Sequence, residues 1–258
     1  MSPNANDGCV RVTRTMHPAL WGHEEWLFDG RTLQATCPGF SLLVKKICAK
    51  QRLSVQVHPN DVTAKTVGGD PKTEMWYVLE PGPIFAGFRA GVTAADVERA
   101  VADGSFEDLL VRFDATRGEC YFIPGGLVHA IGEGTSVYEV QQASDTTFRL
   151  YDWGRVDASG KPRTLHVKEA LAAMDLTLPP PVPSSAVRCP YFTFEPVSAG
   201  TLEASDLCRA VYGVVSDEAL LVPPGVSATL AVESLVTACP VPCAPETQLR
   251  PTEPCVCR

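Results

Sequence analysis

Short apolar runs broken by Pro and Gly dominate this chain. Residues 40–58 hold two strand-like runs split by a polar turn, and Pro59-Asn60-Asp61 ends the second. Glu74 to Leu79 is rich in aromatic and β-branched residues, so it reads as a strand. Further strands are predicted over Cys120–Ile123, Ser136–Gln142 and Thr146–Trp153. Thr93 to Ala102 reads as a helix, with Thr93 as N-cap and Asp96 at the third helical position. Phe106 to Val111 reads as a second short helix. His166 to Met174 reads as another, with Val167, Ala170, Leu171 and Met174 on one face. A stiff segment, Pro179-Pro-Pro-Val-Pro183, then separates two stretches, 1–178 and a strand-like 179–258. Many short strands with a small helical insert predict a mainly β sandwich or barrel.

Composition narrows the class. There are 22 Lys plus Arg against 30 Asp plus Glu, a net charge of −8, which argues against a nucleic-acid partner. The opening residues lack a basic and then apolar leader, and no apolar run approaches a membrane span, so the expectation is a cytoplasmic protein with no membrane partner. Ten Cys in 258 residues is about 4%, below the roughly 8–10% of disulfide scaffolds. Reduced thiols are therefore expected. Cys239, Cys243, Cys255 and Cys257 crowd the end, but their C-x3-C and C-x-C spacing is not that of a structural zinc site.

The informative polar residues come in pairs two apart. Gln56 and His58 share one face of a strand, while Val55 and Val57 face the other way. Lys72 and Glu74 repeat the spacing at the start of the next strand. His129 follows the corner Gly118, Pro124, Gly126, which can aim it into a barrel mouth. Either His alone could be a hydrogen-bonded structural residue. Together, two imidazoles, one carboxylate and one amide oxygen suit a divalent metal such as zinc. Farther on, Glu139 and Gln141 share a face of one strand, and Arg149 and Tyr151 share a face of the next. A permanently charged Arg suits a phosphate or an enediolate oxygen, though a surface salt bridge would also explain it.

At these residues the chain resembles type I mannose-6-phosphate isomerase, short form, of the cupin superfamily. Leu53-Ser-Val-Gln-Val-His-Pro-Asn60, Lys72-Thr-Glu-Met-Trp-Tyr-Val-Leu79, Phe122-Ile-Pro-Gly-Gly-Leu-Val-His-Ala-Ile131 and the block Glu139 to Trp153 carry the likeness. It implies a cupin jelly roll in residues 1–178 and a second, degenerate cupin-like half with a Cys-rich tail in 179–258. It implies one Zn2+ per chain on Gln56, His58, Glu74 and His129. It also implies a catalytic role for Arg149 and places Lys45, Lys72 and Glu139 along the pocket; Glu139, and after it Lys72, is the expected base or proton relay, and Lys45, Trp21 and Ser54 are the expected substrate contacts. The implied reaction interconverts mannose 6-phosphate and fructose 6-phosphate through a cis-enediolate, in a monomer or weak homodimer. The alternative is a catalytically silent cupin that binds sugar phosphates. An iron-dependent cupin dioxygenase is a further rival, though such sites show His-x-His where this chain has Gln56-x-His58. Leu20-Trp-Gly-His23 departs from the family pattern Trp-Gly-Gly.

Overall fold

The computed structural model describes residues 6–157 and 159–239. In chain order the first elements are β1 (Val10–Arg11), β2 (Thr15–Ala19), β3 (Gly22–Asp29), α1 (Gly30–Leu33), β4 (Leu42–Ala49) and β5 (Val55–Val57). Next come α2 (Ala64–Val67), β6 (Glu74–Glu80), β7 (Gly82–Phe88), α3 (Ala94–Asp103), β8 (Leu110–Ala115), β9 (Cys120–Ile123) and β10 (His129–Ile131). β11 (Ser136–Gln142), β12 (Phe148–Tyr151) and α4 (Val167–Ala173) follow. The chain continues with β13 (Val187–Arg188), β14 (Thr193–Val197), β15 (Gly200–Leu202), β16 (Arg209–Gly213), β17 (Ala219–Val222), β18 (Ala228–Leu230) and β19 (Ser234–Ala238). No helix among the described residues is long and apolar enough to cross a membrane.

The contacts divide the chain discontinuously, where the sequence reading has one boundary at 178/179. One unit is Met16–Glu25 with Lys45–Pro183; the other takes in the described parts of Met1–Thr15, Trp26–Val44 and Ser184–Arg258. The second unit is built on a sheet ordered β1-β17-β16-β19-β14-β13 and a small β15-β18 pair. It contains a disulfide between Cys37 and Cys208, whose Cα atoms are 6.3 Å apart. The expectation of reduced thiols throughout is corrected here. The partners lie 171 positions apart, so no local spacing announces the pair. Of the terminal cysteines only Cys239 is described; the reading of Cys243, Cys255 and Cys257 lies outside the described residues.

The first unit carries two antiparallel sheets, ordered β12-β5-β10-β7-β8 and β2-β3-β4-β11-β6-β9. Two apolar clusters hold them. One includes Trp21, Ile47, Trp76, Tyr121 and Val137; the other includes Val55, Val57, Phe106, Leu150 and Ala170. Alternation explains β5: Val55 and Val57 enter the second cluster and turn Gln56 to the opposite face. The predicted strands at 120–123 and 136–142 form with those bounds. In α3 the Thr93 hydroxyl accepts from Asp96 N while Asp96 accepts from Thr93 N, a complete capping box. The predicted helix at 106–111 is instead a single 3-10 turn over Phe106–Leu109 running into β8. The pairing of β8 with β7 overrides the short helical pattern.

One further correction concerns β12. Arg149 pairs with Gln56 but Tyr151 pairs with Val55, with a register shift between them. An extra residue breaks alternation. Tyr151 therefore packs with the second apolar cluster, while Arg149 shares the face of Gln56, against the expectation that the two share one face.

Candidate metal centre

Cross-strand register assembles the polar residues. In one sheet Arg149, Gln56, His129 and Ala86 form a row across β12, β5, β10 and β7. In the other, Gln141 lies opposite Glu74, and Glu139 opposite Trp76. Directly opposed residues project to the same side of a sheet, so both rows present polar groups together. The corner before β10 completes the approach. Gly126 has φ +97, and a Cβ on Gly125 would stand 2.7 Å from Pro59 O. Only glycine allows this loop to lie against Pro59. Gly126 N then donates to His58 O at 2.7 Å, bringing the two histidine segments together.

The centre is His58, Glu74 and His129, exposed by 1%, 0% and 0%. His58 Nε2 lies 3.4 Å from Glu74 Oε2, and His129 Nε2 lies 3.4 Å from Glu74 Oε1. The Nδ1 atoms are engaged elsewhere, His58 with Thr146 O and His129 with Leu127 O, both at 2.8 Å. A ring that donates from Nδ1 offers its Nε2 lone pair to the centre. Burial, then the Lys72 ammonium, pushes the His58 pKa down to about 3, and burial lowers that of His129. Both rings are neutral at pH 7, as metal binding requires. Burial opposes ionisation of Glu74, but the Lys72 ammonium outweighs it and holds this carboxyl well below its ordinary range.

These donors could hold a divalent ion. Ligands roughly 2.1 Å from a tetrahedral ion stand about 3.4 Å from one another, which is the spacing seen. Neither Glu74 oxygen makes a hydrogen bond, although the Lys72 ammonium is 2.9 Å from Oε2 and 3.1 Å from His58 Nε2. That ammonium is a cation held by two of the same donors, and an incoming metal would displace it. Gln56 is half-buried, with Nε2 3.4 Å from His129 Nε2. Turning its amide over presents Oε1 instead.

Beside the centre, Glu139 Oε2 accepts from Trp76 Nε1 at 2.7 Å, and its Oε1 lies 3.1 Å from the Lys45 ammonium. Burial first, then the neighbouring Glu74 charge, raises the Glu139 pKa. Burial works against the Lys45 ammonium, but Glu139, Glu24 and Glu74 outweigh it, so its pKa rises. Lys45 also reaches Glu24 at 3.1 Å. Arg149 stands at the end of the first row; its Nη1 donates to Thr164 O at 2.9 Å. Desolvation lowers its pKa from the ordinary arginine value. Trp21 packs in the apolar cluster with Trp76, and Ser54 is buried just before β5. Trp76 escaped the sequence reading. It holds Glu139 and sets its ring edge-on to His129, with centroids 5.4 Å apart. Its position two residues after Glu74 was the available signal.

No family model matches the chain. It is 40% identical over 162 residues to a mannose-6-phosphate isomerase of Bacillus subtilis, covering 61% of this chain and 50% of that protein. The chain spans about half the length of the curated relatives it matches. The crystal structure of a mannose 6-phosphate isomerase from Bacillus subtilis superposes with a TM-score of 0.73 at 20% identity, covering 89% of this chain and 99% of that one. A mannose 6-phosphate isomerase bound with zinc and yttrium superposes at 0.61 with 12% identity, covering 90% and 99%. Over part of its length the chain is similar in sequence to curated mannose-6-phosphate isomerases, and over most of its length it shares the fold of solved mannose 6-phosphate isomerases.

Proposed function

We propose that the chain is a zinc-dependent aldose–ketose isomerase that interconverts mannose 6-phosphate and fructose 6-phosphate. The observation that carries this reading is the buried His58–Glu74–His129 group set beside Glu139, Lys45 and Lys72. Two buried ammoniums, Lys45 and Lys72, balance two buried carboxylates, Glu74 and Glu139. A divalent ion on His58, Glu74, His129 and Gln56 would add two positive charges, which favours an anionic ligand such as a sugar phosphate. When bound, zinc supplies Lewis-acid polarisation of substrate oxygens.

In this reading Glu139 takes the proton from C2 of the aldose and returns it at C1, while the hydroxyl proton passes from O2 to O1. The intermediate is a cis-enediolate. Burial and the Glu74 charge raise the Glu139 pKa, which makes it a stronger base than an ordinary carboxylate. Lys45 and Trp76 fix it in place. Lys72, freed from Glu74, would hold an oxygen of the substrate, and Arg149 would hold the phosphate or the enediolate. Trp21 and Ser54 complete the wall. The grip of Lys45 and Trp76 on Glu139 is also what favours the rival reading, a silent cupin that binds a sugar phosphate without turning it over.

A coupled assay with mannose 6-phosphate separates the two. Turnover should be present in the metal-loaded protein, vanish after chelation and return with zinc. A loaded protein that binds the sugar phosphate without turnover would establish the silent cupin. Arg149→Ala should retain its metal while kcat falls by about 100-fold. Near-normal turnover in that variant would remove Arg149 from the mechanism.

A further inference from the structure

A second group of potential ligands lies away from this centre. His23, Glu25 and Cys48 bring one donor atom each within 4.8 Å of one another. The placement follows from alternation. On β4, Ile47 and Ala49 turn into the apolar cluster, which sends Lys46 and Cys48 to the other face. On β3, Glu24 meets the inward Lys45, so His23 and Glu25 take the face that Cys48 shares. His23 Nε2 is 3.8 Å from Glu25 Oε1. Both side chains are largely covered, at 25% and 11% exposure, so an ion between them would be substantially desolvated. Cys48 also borders an open depression of about 460 Å³, together with Thr135 and Ser136. Ser136 Oγ is 3.5 Å from Cys48 Sγ. The depression leaves the Cys48 side of the group open to solvent.

We propose that His23, Glu25 and Cys48 form a second divalent-metal site, selective for a borderline ion such as zinc or cobalt(II). An imidazole, a carboxylate and a thiolate are a donor set that zinc accepts and that magnesium or calcium does not favour. Binding releases the Cys48 thiol proton to solvent as the metal–sulfur bond forms. Lys46 is the internal competitor. Its ammonium lies 3.2 Å from Glu25 Oε1 and must give up that contact when the ion arrives. The site is therefore weaker than its donors alone would make it, and removal of the Lys46 charge should strengthen it.

The test uses cobalt(II) and zinc with the full chain. The His58–Glu74–His129 centre contains no sulfur, so a thiolate-to-cobalt charge-transfer band in the near ultraviolet does not report on it. The band should appear on titration of the wild type. C48S should abolish the contribution of this site. H23Q should weaken cobalt affinity by about 100-fold or more, and K46M should tighten it by about tenfold. In parallel, the alkylation rate at Cys48, read by peptide mass spectrometry, should fall with zinc in the wild type and K46M but not in H23Q. A band of full strength in C48S, or a Cys48 alkylation rate indifferent to zinc in the wild type, would overturn the site. Neither outcome bears on the isomerase reading, which rests on other residues.

Discussion

His129→Ala is expected to lose bound metal and isomerase turnover together. The Leu127 carbonyl holds the ring through Nδ1, so Nε2 faces Glu74 without any rearrangement. Truncation removes one of two imidazoles and leaves Glu74 with a single neutral partner and the Lys72 ammonium. Losing a direct ligand should lower metal affinity by more than about 100-fold. Turnover should fall by about 10³-fold, since the polarising ion goes with it. Metal content after gel filtration and the coupled assay check the two losses, and far-ultraviolet circular dichroism checks the fold. His129→Gln should keep part of both, because an amide oxygen is a neutral ligand of similar reach. A His129→Ala protein that stays fully metallated and active would place the centre elsewhere.

The parts of this centre legible in the sequence are those fixed by local geometry. Period-two spacing places Gln56 on the face opposite Val55 and Val57, and the Pro-Gly-Gly corner before His129 is explicit in residues 124–126. Thr93 and Asp96 announce the start of α3 for the same reason. What escaped the sequence depends on register between distant strands. The Trp76–Glu139 bond needs β6 and β11 aligned to the residue, and the Lys45–Glu24 pair needs β3 beside β4. The bulge between Arg149 and Tyr151 leaves no mark in composition, yet it turns Tyr151 away from the face that Arg149 shares with Gln56. The discontinuous division arises because residues 26–44 pack with 184–239 rather than with their sequence neighbours. Such long-range choices are settled by packing, to which a strand pattern is blind.

Lys45→Met should cost about 3–5 kcal/mol of stability at neutral pH, measured by denaturant unfolding in the presence of chelator. The methionine fills the same space, so the loss comes from charge. Lys45 is 7% exposed and Glu139 3%, and the ammonium stands 3.1 Å from Glu139 Oε1. Without it, the carboxylate keeps the Trp76 donor and the Lys72 charge, while burial and Glu74 still work against it. Glu24, at 20% exposure, retains solvent and contributes little to the loss. The pH dependence has a definite sign. Burial already raises the folded-state pKa of Glu139, with Lys45 as the first counterweight, and removing that counterweight raises it further. The folded variant then binds a proton that the unfolded chain releases near its ordinary carboxyl pKa of about 4.3. Its stability must fall as pH rises from that value through the raised folded-state pKa. The deficit of Lys45→Met should therefore be smaller at pH 5 than at pH 8. Lys45→Met combined with Glu139→Gln should recover most of the loss, because the amide needs no counter-charge and keeps an oxygen for Trp76 Nε1. Equal stability of wild type and Lys45→Met at pH 8, or no recovery in the double variant, would show that the Lys45–Glu139 pair does not carry this stability.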